Sequence, residues 1–141
     1  MIEELVSKIE EIYRSGEDYI KEARDIAQKM KEYPNKLDNI FYLDCQDKLD
    51  IIYDELLERS LRVSTLLKDA EAFAILSVRD KYQDEKKKPN ADQLKSEARE
   101  LYSSIASYDA VLDSWQKSVR NYVSGARAHI NALAGRENKS E

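Results

Sequence analysis

From Leu94 to Leu133 an apolar or aromatic side chain returns at every third or fourth position: Leu94, Ala98, Leu101, Ile105, Tyr108, Leu112, Trp115, Val119, Tyr122, Ala126, His129 and Leu133. Steps that alternate four and three average about 3.5 residues, the period that keeps one seam of a helix turned toward a partner. At 1.5 Å per residue, a helix from Ala91 to Ala134 is a rod of roughly 65 Å. Such a rod cannot bury its seam against itself. Other segments of the chain, or other copies of it, must cover the seam, because each buried Leu, Ile or Val contributes roughly 1.5–3 kcal/mol.

Two further segments carry the same pattern. Ile2, Leu5, Ile9, Ile12, Gly16, Tyr19, Ala23, Ile26, Met30 and Tyr33 predict a first helix over about 2–33, ended by Pro34, which pushes the residue before it out of the α region. Gly16 reads first as a local kink. Its small size at a seam position also permits close approach of another helix. Leu49, Ile52, Leu56, Arg59, Val63, Leu66, Ala70, Phe73 and Ser77 predict a second helix over about 45–82, capped by Asp44 in preference to Asp38. Tyr53, Leu57, Leu67 and Ala74 widen its stripe, which implies contact with more than one helix. Arg59 is the charged residue in that seam, placed to fix register or to snorkel. Leu37, Ile40, Phe41 and Leu43 in the connector are expected to pack on a neighbour.

Residues 83–90 (QDEKKKPN) break the pattern, with Asn90 and Gln93 forming a capping box for a third helix over about 91–134. Gly135 is expected to end that helix, and residues 135–141 to be a disordered tail. Charged residues at 36%, with three glycines and two prolines, agree with long helices. The expected architecture is therefore one all-α domain over 1–134. An antiparallel coiled-coil hairpin of helices two and three carries the N-terminal helix. The chains self-associate through Leu101, Ile105, Tyr108, Leu112, Trp115, Val119 and Tyr122, so that Leu112→Asp breaks the assembly.

Chemistry is sparse. One histidine and one cysteine cannot supply a zinc site or a Cys/His pair, and no glycine-rich phosphate loop is present. Neither an enzyme nor a cofactor is expected. His129 on the seam reads as a core or interface histidine. Cys45 alone suggests a reducing compartment. No apolar run approaches the ~20 residues of a membrane span, and the acidic amphipathic start is unlike a signal peptide. A cytoplasmic protein without membrane contact is expected.

The net charge of −5 argues against generic polyanion binding, yet the acidity is concentrated in residues 1–67, with sixteen Asp/Glu against ten Lys/Arg. Residues 68–100 carry eight of each, and their cations gather at the hairpin tip: Arg79, Lys81, Lys86, Lys87, Lys88 and Lys95, around Tyr82. Cations contact phosphates and a ring stacks a base, a combination suited to single strands. The same stretch also reads as an ordinary solvated loop, because Asp80, Asp84 and Glu85 are interleaved. A second basic set, Lys117, Arg120 and Arg127 with Tyr122 between them, lies on the third helix.

A helix ending AEAFAILSVRDKY, a charged break KKKPNADQLKSEA and a long closing helix YSSIASYDAVLDSWQKSVRNYVSGARAHINAL together resemble the UvsY-type recombination mediators of T-even and related phages, over roughly residues 45–134. Members of that family are ring-like homo-oligomers. They load a RecA-like recombinase onto single-stranded DNA coated by a single-strand binding protein. Their DNA-contacting segment has the form Leu-Lys-Ala-Arg followed by an aromatic. Here Leu76-Ser77-Val78-Arg79 with Tyr82 stands in that place, so Arg79 carries over and Ser77 replaces the lysine. The resemblance implies a non-enzymatic mediator in the host cytoplasm, with recombinase and single-strand binding protein as partners. The other reading is a structural or adaptor coiled coil that binds protein partners and no nucleic acid.

Overall fold

The computed structural model describes residues 1–86 and 88–140. The protein is all-helical among these residues, with α1 Ile2–Glu32, α2 Asn39–Lys81, α3 Ala91–Leu101 and α4 Tyr108–Ser140 packed together. The expected bounds change in three places, each for a local reason.

The first is the connector. Pro34 holds Tyr33 extended at φ −63, ψ 122, and α1 stops at Glu32. The Lys36 ammonium donates to the Met30 and Lys31 carbonyls, both at 2.9 Å, satisfying acceptors that the helix end leaves open. Asp38, not Asp44, caps α2, which therefore begins six residues before the expected Cys45. Its Oδ1 accepts from the Phe41 N–H at 3.2 Å and its Oδ2 from the Tyr33 hydroxyl at 2.6 Å. Phe41 stacks on Tyr33 with centroids 3.7 Å apart. Leu37, Ile40 and Leu43 remain exposed, contrary to the expectation that they pack. Asp44 pairs instead with Lys48, one turn on.

The second change divides the expected helix 91–134. α3 begins on the Asn90/Gln93 capping box, and the chain leaves the helix after Leu101. Residues 102–107 form consecutive tight turns, with i→i+3 bonds from Ile105 to Tyr102, Ala106 to Ser103 and Tyr108 to Ile105. Three serines in YSSIAS favour this, since hydroxyls compete for nearby backbone groups; Ser103 Oγ donates to the Glu100 carbonyl. At three residues per turn, Tyr102, Ile105 and Tyr108 fall on one side, and Tyr102 and Ile105 are buried. Leu101, expected in the seam, is left 44% exposed. The third change is at the end: α4 continues through Gly135 to Ser140 rather than ending at 135.

α2 is the element that touches all the others. Along it Tyr53 meets Arg120, Leu56 meets Gln116 and Tyr42 meets His129, so α4 runs opposite to α2. The short connector turns α1 back along α2 as well. The expected seam is covered inside a single chain. Ile105, Leu112 and Val119 are fully buried, and Tyr108, Trp115 and Tyr122 pack against the core from its edge. Of the two coverings the pattern allows, other segments or other copies, α1 and α2 supply the first. Gly16 shows how. α1 passes through it unbroken, and a Cβ there would lie 3.2 Å from Leu112 Cδ2 and 3.6 Å from Leu56 Cδ2. Close approach, not a kink, is its role. Beside it, Arg59 binds Glu55, donates to Ser15 Oγ at 2.8 Å and covers the Tyr19 ring, tying α2 to α1.

Candidate nucleic-acid interface

The tip begins where α2 ends. Arg79 and Lys81 occupy its last turn, and Tyr82 is the C-cap. Their charge is favourable there, because a helix C-terminus carries partial negative charge. The chain then turns through Gln83 N–H to Asp80 O and Glu85 N–H to Tyr82 O. Lys88 folds back, its ammonium donating to the carbonyls of Tyr82 and Gln83. It thus closes the turn chemically as Lys36 does at the other end of α2.

Tyr82 is fixed on both sides. Its hydroxyl donates to Glu97 Oε1 at 2.6 Å, and the Lys81 ammonium lies 5.4 Å from its ring centroid. The Glu97 carboxylate, with partial burial, raises the Tyr82 hydroxyl above its ordinary pKa. A depression of about 430 Å³ opens beside it, lined by Arg79, Asp80, Tyr82, Gln83, Lys88, Pro89 and Leu94.

Arg79, Tyr82 and Lys88 therefore come together. Lys81 faces another depression with Glu97 and Glu100, where its charge is opposed by two carboxylates. Lys86 and Lys95 are exposed and line neither. Lys87 lies outside the described residues. The second basic set is divided. Lys117 pairs with Asp113 at 3.0 Å, and Arg120 donates to the Tyr53 hydroxyl at 2.6 Å. Arg120 and Arg127 line a shallow site with Asp50, whereas Tyr122 lies on another flank of α4.

That other flank holds a feature absent from the expectations above. A cleft of about 570 Å³ runs between α1 and α4, with Arg24, Lys31 and Lys36 at its rim and Tyr42, Tyr122 and His129 among its walls. His129 lies tilted against the Tyr42 ring with centroids 3.8 Å apart, and its Nε2 is 2.7 Å from the Lys36 carbonyl oxygen, which requires Nε2–H to donate. The only signal for it in the sequence is Arg24 and Lys31 at a seven-residue interval, which places both on one face of α1. Among the described residues, no group of three or more His, Cys, Asp and Glu side chains is placed to hold a metal ion, and no helix is long and apolar enough to cross a membrane.

Compared with known proteins, the chain matches no family model, no curated protein and no solved structure.

Proposed function

We propose that this protein is a non-enzymatic recombination mediator that binds single-stranded DNA as an oligomer in the cytoplasm and helps load a RecA-like recombinase. The observation that carries the reading is the convergence of Arg79, Tyr82 and Lys88 on one depression at the end of α2, in the segment whose sequence resembles the UvsY type. Arg79 and Lys88 take phosphates, Lys86 and Lys95 add charge around them, and Lys87 adds to the positive charge of the segment's sequence. The Tyr82 ring, held by Glu97, offers a preset face to a base. One tip is a weak site in an acidic chain. Several tips joined in one assembly gain avidity, so self-association belongs to the same proposal.

Because the α4 seam lies inside the chain, self-association falls to another surface. Ile40, Leu43, Ile51, Leu61 and Leu76 are exposed on α2. At 3.6 residues per turn they fall within a sector of about 80°, opposite the core face. We assign the contact between copies, including any coiled coil between them, to this ridge. The same ridge favours the second reading, an adaptor whose α2 binds protein partners and no nucleic acid.

Fluorescence anisotropy of a labelled oligothymidylate across a salt series separates the two. The mediator requires binding that weakens steeply with salt and is lost when Arg79, Lys86 and Lys88 are reversed to Glu. An oligomer that ignores DNA at low salt leaves the adaptor.

A further inference from the structure

The cleft between α1 and α4 is the part of the molecule the proposed function does not use. It is cationic in an acidic protein: Arg24, Lys31 and Lys36 line it, and no carboxylate does. Among the described residues, no ion pair involves any of these three. Glu32, the residue after Lys31, accepts from the Gln28 amide at 2.6 Å. Lys36 is fixed beside Lys31 by its bond to the Lys31 carbonyl. Two cations thus stand at one end, and Arg24 stands two turns away, about 10 Å along α1. Between them the floor is small and apolar, with Ala27, Ala126 and Gly125. A Cβ on Gly125 would meet nothing within 4 Å, so no packing demand explains a glycine in mid-helix there. What its absence of a side chain does is leave the middle of the cleft open.

We infer that this cleft binds an acidic, extended peptide segment of a partner protein, with carboxylates at its two ends and an apolar or aromatic side chain between. The spacing excludes a lone small anion. One phosphate cannot reach cations about 10 Å apart, whereas an extended chain covers that distance in about three residues. The apolar side chain fills the space above Gly125, and the Gln28 and Asn121 amides offer polar contacts at the edges. The site is separate from the tip and does not depend on DNA binding there.

The test uses the full chain and a fluorescein-labelled peptide, Asp-Asp-Leu-Phe-Asp-Asp, followed by anisotropy. Binding is expected to saturate. It should weaken at least about tenfold in the exposed double variant Arg24→Glu/Lys31→Glu and in Gly125→Leu, whose Cβ meets no neighbour within 4 Å and whose side chain takes up open space in the cleft. The neutral peptide Asn-Asn-Leu-Phe-Asn-Asn should not bind. Equal binding of the neutral peptide, indifference to both variants, or no binding at millimolar peptide overturns the inference. Displacement of the peptide by an oligothymidylate, with the oligonucleotide itself sensitive to Gly125→Leu, also overturns it and assigns the cleft to nucleic acid. Reversal of Arg79 and Lys88 at the tip should leave peptide affinity unchanged.

Discussion

Two glycines in similar helical settings have opposite roles. Gly16 sits where three helices meet, and a Cβ there would stand 3.2 Å from Leu112 Cδ2, so the fully buried Leu112 must give way to any side chain. Gly16→Leu should therefore destabilise the fold by about 1–3 kcal/mol through overpacking. Gly125 faces open space, so Gly125→Leu should gain up to about 1 kcal/mol from helix propensity. Urea unfolding of both variants checks the pair, and equal shifts would show that the two positions are packed alike. Asp38 gives a pH-dependent counterpart. The Tyr33 hydroxyl, then the Phe41 N–H, hold its carboxyl below the usual aspartate range. A lowered value means stability that is present above the unfolded pKa, near about 3.9, and lost as pH falls through the folded one. Thermal melts from neutral to acid pH should show wild type above Asp38→Asn at neutrality, with the gap closing in acid. A gap independent of pH would leave the carboxylate no part in the cap. Cys45 is buried, and burial raises its thiol pKa, so a soluble thiol reagent should label it only on unfolding.

At the scale of elements, the heptad pattern was legible and its exact phase was not. In α2 the expected seam residues Leu49, Ile52, Leu56, Val63 and Ala70 are buried, but toward the C-terminal end the buried line moves on by one: Leu67 and Ala74, expected only to widen the stripe, are buried with Val78, whereas Leu66 is half-buried and Phe73 and Ser77 are exposed. A straight helix drifts about 20° per heptad from a strict 3.5 repeat, and over 43 residues that drift approaches one position. The slip falls where α2 comes to meet α3. The break at 102–107 was hidden for a related reason. Tyr102, Ile105 and Tyr108 keep an apolar rhythm through it, and no Gly or Pro marks it. Only the serines in YSSIAS differ from a helix-forming run. Hydrogen exchange tests the break: the amides of Ser103, Ser104 and Ser107, which have no backbone acceptor among the described residues, should exchange much faster than those of 112–126. Protection equal to that of α4 would mean one continuous helix. The tip was legible as a set of cations. Its division between two depressions, and the use of Lys88 to close a turn, depend on backbone geometry that spacing does not encode.

For the molecule as a whole, a seam long enough to demand a partner finds it within the chain. Leu112→Asp should therefore unfold the protomer, with a loss above about 4 kcal/mol for an unpaired charge in the core. The expectation from sequence alone was loss of assembly. Ile51→Asp with Leu61→Asp, at positions 63% and 62% exposed, should instead lower the mass seen by light scattering while leaving the melt intact. Unchanged mass would remove the α2 ridge from the assembly.

The aromatic edge of the bundle has a practical consequence. Trp115, the sole indole of the chain, lies on α4 with its ring centroid 5.3 Å from that of Tyr13 on α1, and Tyr13 in turn stacks on Tyr108 at 3.8 Å. The protein thus contains its own optical gauge of one event, the seating of α1 on α4. Excited at the tyrosines, a seated α1 passes energy to the indole. A detached α1 loses that transfer and exposes the indole to water, shifting its emission to the red. Stopped-flow detection of that single colour change would time the docking of α1, with no label added.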